Sequence, residues 1–258
     1  MDAEPDFDRV KPAARLFVDA PLAANATIEL DRDRAHYLQH VLRLSPGATI
    51  EVFNGRDGGW ACAIESFAKR GAILTAQAQR RAQVSSPDLW LCFAPLKRAR
   101  IDLVVEKATE LGVSRLLPVE TRRTVTDRVN LDRLRAIASE AAEQCERLDV
   151  PVIDAPVTLP TLLGNWDATR TLHVAAESGA AQPLHVALAP APCAFLIGPE
   201  GGFDPAELDL LRSVPFVVAI GLGPRLLRAE TAALAALASW QALRGDGSAA
   251  DQRPPFRE

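Results

Sequence analysis

Apolar residues recur along this chain in two rhythms, and the change between them falls near residue 82. Before it, short alternating runs predict strands: Arg15-Leu16-Phe17-Val18, Ala26 to Leu30, Thr49 to Phe53, Trp60 to Phe67, and Gly71 to Gln79. Between the second and third runs, Asp33 can cap a helix in which Tyr37, Leu38, Val41, Leu42 and Leu44 make one apolar stripe, ended by Pro46-Gly47. Asn54-Gly55-Arg56-Asp57-Gly58-Gly59 supplies several residues able to take positive φ, so it predicts a hairpin turn. Residues 1–82 therefore read as a small, mostly β domain of barrel-like character.

Ala82 to Asp88 is linker-like, and beyond it strands alternate with helices, the pattern of an α/β domain. Leu89 to Ala94 predicts a buried strand, and Lys97 to Leu111 a helix that Gly112 stops. A strand follows over Val113 to Val119, then a helix from an Asn130 cap to about Arg147, with Leu134, Ile137, Ala138, Ala141 and Cys145 inward. Further strands are expected near Pro151 to Ile153, Thr171 to Ala175, Cys193 to Ile197 and Phe216 to Ile220. The last helix, about Leu226 to Leu243, is rich in Ala and Leu, as suits a packed helix or a subunit contact. No internal repeat is visible.

Two loops in this second part stand out. Gly198-Pro199-Glu200-Gly201-Gly202 follows the strand ending at Ile197, and Gly221-Leu222-Gly223-Pro224-Arg225 follows the strand ending at Ile220. Open α/β sheets bind their ligands at the carboxyl ends of strands, where both loops are predicted to lie. Neither carries a phosphate-binding G-x-x-x-x-G-K-S/T or a complete dinucleotide G-x-G-x-x-G pattern, and Glu200 would repel a phosphate. Glycine here lets backbone approach a flat or polar ligand, while Glu200 suits hydroxyls or positive charge. A tight strand-to-helix turn explains the first loop equally well. In the second, Arg225, Arg228 and Glu230 offer charge; Arg228 and Glu230, two apart, would not share the face of a regular helix but at a helix start can both reach toward the loop, and a surface ion pair is the plain alternative. Asp204-Pro205-Ala206-Glu207 has the order of a capped helix start with N1 proline.

Composition narrows the class. With 48% hydrophobic and 24% charged residues the chain is that of an ordinary globular protein. No apolar run approaches the ~20 residues of a membrane span, and the acidic Met1 to Lys11 lacks the apolar centre of a secretory signal. Four scattered cysteines without a C-x-x-C predict single thiols in a reducing cytosol, not a disulfide or metal framework. The net charge of −4 speaks against indiscriminate nucleic-acid binding, yet Lys97 to Arg135 holds ten Lys/Arg against six acids, a local excess of +4. Such a run is either a solvated helix face or a patch for one partner. Arg32, Arg34, His36, His40 and Arg43 cluster on the N-terminal helix; the histidines are spaced for metal ligation but lack a third ligand, and an RNA-facing surface is the alternative.

The same residues carry a resemblance. Gly198-Pro199-Glu200-Gly201-Gly202, the run Leu222-Gly223-Pro224-Arg225-Leu226-Leu227-Arg228-Ala229-Glu230-Thr231-Ala232, Glu143-Gln144-Cys145 and Lys107 to Val113 are similar to motifs of the RsmE family of ribosomal RNA methyltransferases, in the SPOUT superfamily. So are Arg15-Leu16-Phe17, His36-Tyr37-Leu38 and Val41-Leu42-Arg43, so that the likeness runs through nearly the whole chain. It departs at Ala229, where the family often has Thr, and over 154–192, which matches nothing in the pattern. The resemblance implies a PUA-like RNA-binding β-barrel at 1–82, an α/β methyltransferase domain with a trefoil knot at 83–247, and a flexible tail at 248–258. It implies a cytoplasmic homodimer, without metal or membrane, that methylates N3 of one uridine in 16S rRNA of the small ribosomal subunit using S-adenosyl-L-methionine. Leu196, Ile197, Gly198, Pro199, Glu200, Gly201, Gly202, Ile220, Leu222, Gly223, Pro224, Leu227, Thr231 and Ala232 would then enclose the cofactor. Arg228 and Glu230 would be catalytic, and Arg15, Arg32, Arg43, Lys97, Arg98, Arg100, Arg122 and Arg123 would hold RNA. Two other readings remain at this point: a noncatalytic RNA-binding assembly protein, and a SPOUT enzyme acting elsewhere on RNA.

Overall fold

The structure, a computed structural model, describes residues 12–125, 128–175 and 181–248. The acidic lead 1–11, the tail beyond 248 and the side chain of Arg98 lie outside the described residues. The described chain divides into two units: one of residues up to Ser85 together with Ala142–Asp149, the other of Ser86–Ala141 and the described residues from Val150.

In the first unit, β1 (Arg15–Phe17), β2 (Thr27–Leu30), β3 (Thr49–Phe53), β4 (Gly59–Ala68) and β5 (Gly71–Arg81) form one sheet in the order β1-β3-β4-β5-β2. β1 runs parallel to β3, and the remaining pairs are antiparallel. Alternate residues (Leu16, Ile28, Leu30, Ile50, Val52, Cys62, Ile64, Leu74, Ala76) meet in a single core. The β3–β4 turn requires glycine: Gly58 sits at φ +79, and a Cβ there would stand 2.2 Å from the Arg81 carbonyl oxygen.

The N-terminal helix differs from expectation. α1 spans only Arg32–His36, is capped by Asp31 and not Asp33, and passes into a π-helical turn over Tyr37–Val41. Widening the helix rotates the stripe out of register, so Leu38 is fully buried while Tyr37 and Val41 are exposed. Arg43 then takes a left-handed conformation at φ +57.

The second unit is an eight-stranded parallel sheet. Its elements are β6 (Leu89–Phe93), α2 (Arg98–Glu110), β7 (Arg115–Glu120), α3 (Leu131–Gln144), β8 (Val152–Ile153), β9 (Val157–Thr158), α4 (Leu159–Gly164), β10 (Thr171–Ala175), β11 (Gln182–Pro183), α5 (Leu184–Ala187), β12 (Cys193–Ile197), α6 (Pro205–Ser213), β13 (Val217–Gly221) and α7 (Ala229–Leu243). The strand order is β11-β13-β10-β12-β6-β7-β8, with β9 paired to β7. One face is covered by α2, α3 and α7 through Val104, Val105, Ala108, Leu134, Ala233, Leu237 and Trp240; the other packs on α4 and α6 through Leu159, Leu162 and Leu211. Burial on both faces explains why β6 and β12 read as continuous apolar runs. Gly112, at φ +76, ends the turn after α2, and Asn130 Oδ1 accepts from Arg133 N at the start of α3.

Two boundaries move. α3 stops at Gln144, three residues before the expected end, and Glu146 takes φ +67. α7 begins at Ala229 with Arg228 as N-cap, so Leu226 and Leu227 belong to the loop and Leu226 is 80% exposed. The stretch 154–192, unplaced by resemblance, contributes β9, α4, β10, β11 and α5. No described helix is long and apolar enough to cross a membrane.

Candidate active site

Strand order fixes where the two loops lie. The chain leaves β6 toward β7 and β8 on one side, then returns so that β12 inserts between β6 and β10, with β13 beyond β10. The carboxyl end of β12 therefore sits at the reversal of strand order, and that of β13 two positions along the same edge.

At the first loop, all five residues of β12, including Leu196 and Ile197, are buried. Gly202 N–H closes a turn onto the Pro199 carbonyl at 2.9 Å, with Gly202 at φ +69. Gly198 lies under the Phe203 ring, and a Cβ there would come within 2.8 Å of it. The loop runs into α6 through a complete capping box: Asp204 Oδ1 accepts from Ala206 N, and Glu207 Oε2 accepts from Asp204 N at 2.9 Å. The turn after β7 braces this start. Arg122 N–H donates to Glu207 Oε1 at 2.8 Å, Arg122 Nη1 pairs with Asp204 Oδ1 at 3.1 Å, and Arg123 Nη1 donates to the Gly201 carbonyl at 2.8 Å.

The second loop leaves β13 at Gly221 and reaches α7 at Ala229. Gly223 has φ +106, and nothing lies within 4 Å of where its Cβ would be. Among the described residues, no amide from Leu222 to Leu227 donates a hydrogen bond. Ile220 is buried, Leu222 and Leu227 pack on the main core, and Pro224 is exposed. In α7, Ala232 is buried and Thr231 faces outward.

One side chain joins the two loops. Arg100, in the first turn of α2, pairs through Nη1 with Glu200 Oε1 of the first loop, and its Nε lies 3.6 Å from Glu230 Oε1 of the second. Glu230 is the second residue of α7 and its side chain is only 12% exposed. Its other oxygen, Oε2, is buried and has no hydrogen-bond partner among the described residues. Arg228, exposed at the N-cap, makes no ion pair or side-chain hydrogen bond among the described residues. Glu230 is thus partnered by Arg100, and the surface ion pair of Arg228 with Glu230, the plain alternative from sequence, is not formed.

The expected RNA-binding cations separate into groups. Arg32 and Arg43 in the first unit are exposed, as is Lys97 ahead of α2. Arg98 opens α2. Arg122 and Arg123 are exposed yet tied to the glycine loop, and Arg100 is held between two carboxylates. Arg15 does not fit the expectation. Its side chain is 7% exposed; Nε lies 3.3 Å from Glu51 Oε1, and its terminal nitrogens donate to the carbonyls of Ala142, Glu143 and Arg147. Burial pulls this guanidinium below its usual range, with Glu51 opposing the shift. It ties Ala142–Arg147 to β1 and β3 within the first unit, so its donors are spent inside the protein. His36 and His40, considered as metal ligands from their spacing, place their rings 4.7 Å apart.

Family matches cover both units. Residues 84–241 match an RNA methyltransferase domain family, and residues 30–77 an RNA methyltransferase PUA domain family. The ribosomal RNA small subunit methyltransferase E of Rickettsia conorii is 33% identical over 228 residues, 87% of this chain and 93% of the relative. That of Bacillus subtilis is 30% identical, over 85% and 93% of the two chains. Among solved structures, the Neisseria gonorrhoeae ribosomal RNA small subunit methyltransferase E bound to S-adenosyl methionine superposes with a TM-score of 0.81 at 26% identity, covering 90% of this chain and 98% of that one. A Legionella pneumophila methyltransferase structure with bound cofactor SAM gives 0.83 at 27%, covering 92% and 100%.

Proposed function

We propose that this chain, which belongs to the ribosomal RNA small subunit methyltransferase E family, transfers a methyl group from S-adenosyl-L-methionine to N3 of one uridine in 16S rRNA. The observation that carries the reading at the level of residues is the pair of loops at the ends of β12 and β13, tied by Arg100 and leaving one buried carboxylate oxygen without a hydrogen-bond partner among the described residues. A buried acceptor without a donor is costly, so Glu230 Oε2 fits a site that a ligand or substrate completes.

The residues present suit the cofactor. The amides of Leu222, Gly223, Arg225, Leu226 and Leu227, unused within the described fold, offer donors to a purine edge, and the open face of Gly223 lets a ring approach backbone. Leu196, Ile197, Ile220, Leu222, Leu227 and Ala232 supply apolar walls; Gly198, Pro199, Glu200, Gly201 and Gly202 the opposite side, with Pro224 and Thr231 at the rim. When bound, S-adenosyl-L-methionine supplies an electrophilic methyl group on a sulfonium centre.

Uracil N3 carries a proton and becomes a competent nucleophile only as that proton leaves. Glu230 Oε2 accepts it, and negative charge then spreads onto the two neighbouring carbonyl oxygens of the base. Arg228, an exposed cation at the head of α7, donates to those oxygens and lowers the cost of that charge. Holding base and methyl in line accounts for much of the remaining rate. The target base must leave its stack to reach the site, and the exposed Lys97, Arg122 and Arg123 suit the backbone on either side of it, with Arg98 beside Lys97 in sequence.

The same reading extends to architecture. Residues 1–82 act as a PUA-like barrel that binds RNA through Arg32 and Arg43, residues 83–247 as the methyltransferase domain, and 248–258 as a tail. The carboxyl-terminal part of the second domain threads a trefoil knot, two copies form a homodimer, and the enzyme works in the cytoplasm on the small subunit without a metal. The test is Arg228→Ala assayed with unmodified small subunits and labelled cofactor. Turnover should fall at least a hundredfold while calorimetry shows cofactor binding within twofold of wild type. Unchanged turnover would remove Arg228 from the chemistry.

A further inference from the structure

Arg100 belongs to a run of cations that, by sequence, reads as a phosphate-binding patch. Its guanidinium is not free to do that. It stands between Glu200, in the loop after β12, and Glu230, in the first turn of α7 after the β13 loop. These carboxylates are thirty residues apart in sequence, and β10 lies between their strands in the sheet. No described hydrogen bond or ion pair other than those of Arg100 joins the two loops directly.

We infer that Arg100 is a positioning residue: a clasp that sets the spacing of the two loops and turns Glu230 so that its second oxygen is presented inward. The argument rests on the planar fork of the guanidinium. Arginine carries donors on Nε and on both terminal nitrogens, and can engage two carboxylates on different edges at once, whereas lysine is a single point charge. Here the Nη1 edge takes Glu200 and the Nε edge lies toward Glu230 Oε1. With Oε1 turned toward that ion pair, Oε2 of Glu230 is the oxygen left for a ligand or substrate, and it is buried without a hydrogen-bond partner among the described residues. The inference deepens the methyltransferase reading and rests on it, because the two loops matter together only if one ligand lies between them.

A clasp and a phosphate contact predict opposite outcomes for the same substitutions. Cofactor affinity is read by calorimetry, and RNA affinity by filter binding across a salt series with 16S rRNA fragments, on full-length Arg100→Ala, Arg100→Lys and Glu200→Gln. For a clasp, Arg100→Ala and Glu200→Gln each weaken cofactor binding by about tenfold, between the worth of a surface pair and that of a buried charge-assisted bond. Combining them adds little beyond either alone, since both open the same link. Arg100→Lys stays close to Arg100→Ala, and RNA affinity with its salt slope is unchanged. Wild-type cofactor affinity in Arg100→Ala overturns the inference, as does a loss of RNA affinity with a salt slope reduced by about one. Thermal melts within a few degrees of wild type show that the variants are folded; if Arg100→Ala unfolds, Glu200→Gln, a half-exposed site, carries the same test. Failure of the wild-type protein to bind cofactor at all would instead sink the underlying functional reading, which keeps the two failures apart.

Discussion

Glu51 gives a sharp test of how the first unit is held. Its side chain is 4% exposed, and its Oε1 receives Arg81 Nη2 at 2.5 Å, Arg81 Nε at 3.1 Å and Arg15 Nε at 3.3 Å. Glu51→Gln keeps the shape and one acceptor oxygen but removes the charge, leaving two guanidiniums facing each other. Breaking one partner of a buried ion pair costs about 3–5 kcal/mol. The loss here is smaller because Arg81 is 25% exposed and Arg15 keeps its three carbonyl partners. About 2–3 kcal/mol is therefore expected. Native-state hydrogen exchange read by mass spectrometry can assign it: peptides covering β3, β4 and β5 should lose that much opening free energy, while those of β12 and β6 keep theirs. A shift below about 0.5 kcal/mol in the β3–β5 peptides would refute the role given to this cluster. Replacing all three residues by apolar ones of similar size, Arg15→Met, Glu51→Leu and Arg81→Met, should cost less than Glu51→Gln alone, because no charge is left stranded.

Other expectations follow from single contacts. Gly198→Ala would bring a Cβ to 2.8 Å from the ring of Phe203, which is itself buried, so the loop must shift; cofactor affinity measured by calorimetry should fall about tenfold, a loss of roughly 1.4 kcal/mol, and an unchanged value would mean the loop does not line the site. His173 is fully buried, its Nε2 accepts from Ala189 N, and burial lowers its pKa from 6.5. The unfolded chain therefore takes up a proton first as pH falls, so stability present above about pH 6.5 is lost below it. Urea midpoints should drop from pH 7 to 5 by more in wild type than in His173→Gln; parallel curves would contradict this. Burial pushes the Cys62 and Cys193 thiols up to about 12 and raises that of Cys92, whereas Cys145 is part-exposed. A disulfide-exchange reagent at pH 8 should label Cys145 alone in the native protein and all four in urea; rapid native labelling of a second thiol would count against the packing described.

The parts of the fold legible in the sequence are those with local causes. β6 and β12 show as apolar runs because both faces of the parallel sheet are covered, and the turn at Asn54 to Gly59 shows because its backbone needs positive φ. The Asp204–Glu207 box and the Asn130 cap are equally local. What could not be read depends on partners distant in sequence. An apolar spacing from Tyr37 to Leu44 looks like a helix stripe, and nothing within it announces the π-helical turn that exposes Tyr37 and Val41. Arg15 resembles any cation near a strand end until the carbonyls of Ala142–Arg147 are brought to it. Arg100 was visible as a charge, but the two acids that occupy it are 100 and 130 residues away, and no pattern in either loop points back to α2. Nor does the two-residue spacing of Arg228 and Glu230 reveal that folding pairs Glu230 with Arg100.

The central claim concerns one methyl group on one kind of base. Nucleoside mass spectrometry of small-subunit rRNA, purified from the source cell with and without this gene, reads it directly. The account predicts that 3-methyluridine is present with the gene, disappears without it, and returns when the wild-type gene but not the Arg228→Ala variant is restored. Retention of 3-methyluridine at the wild-type level in the strain lacking the gene would contradict it.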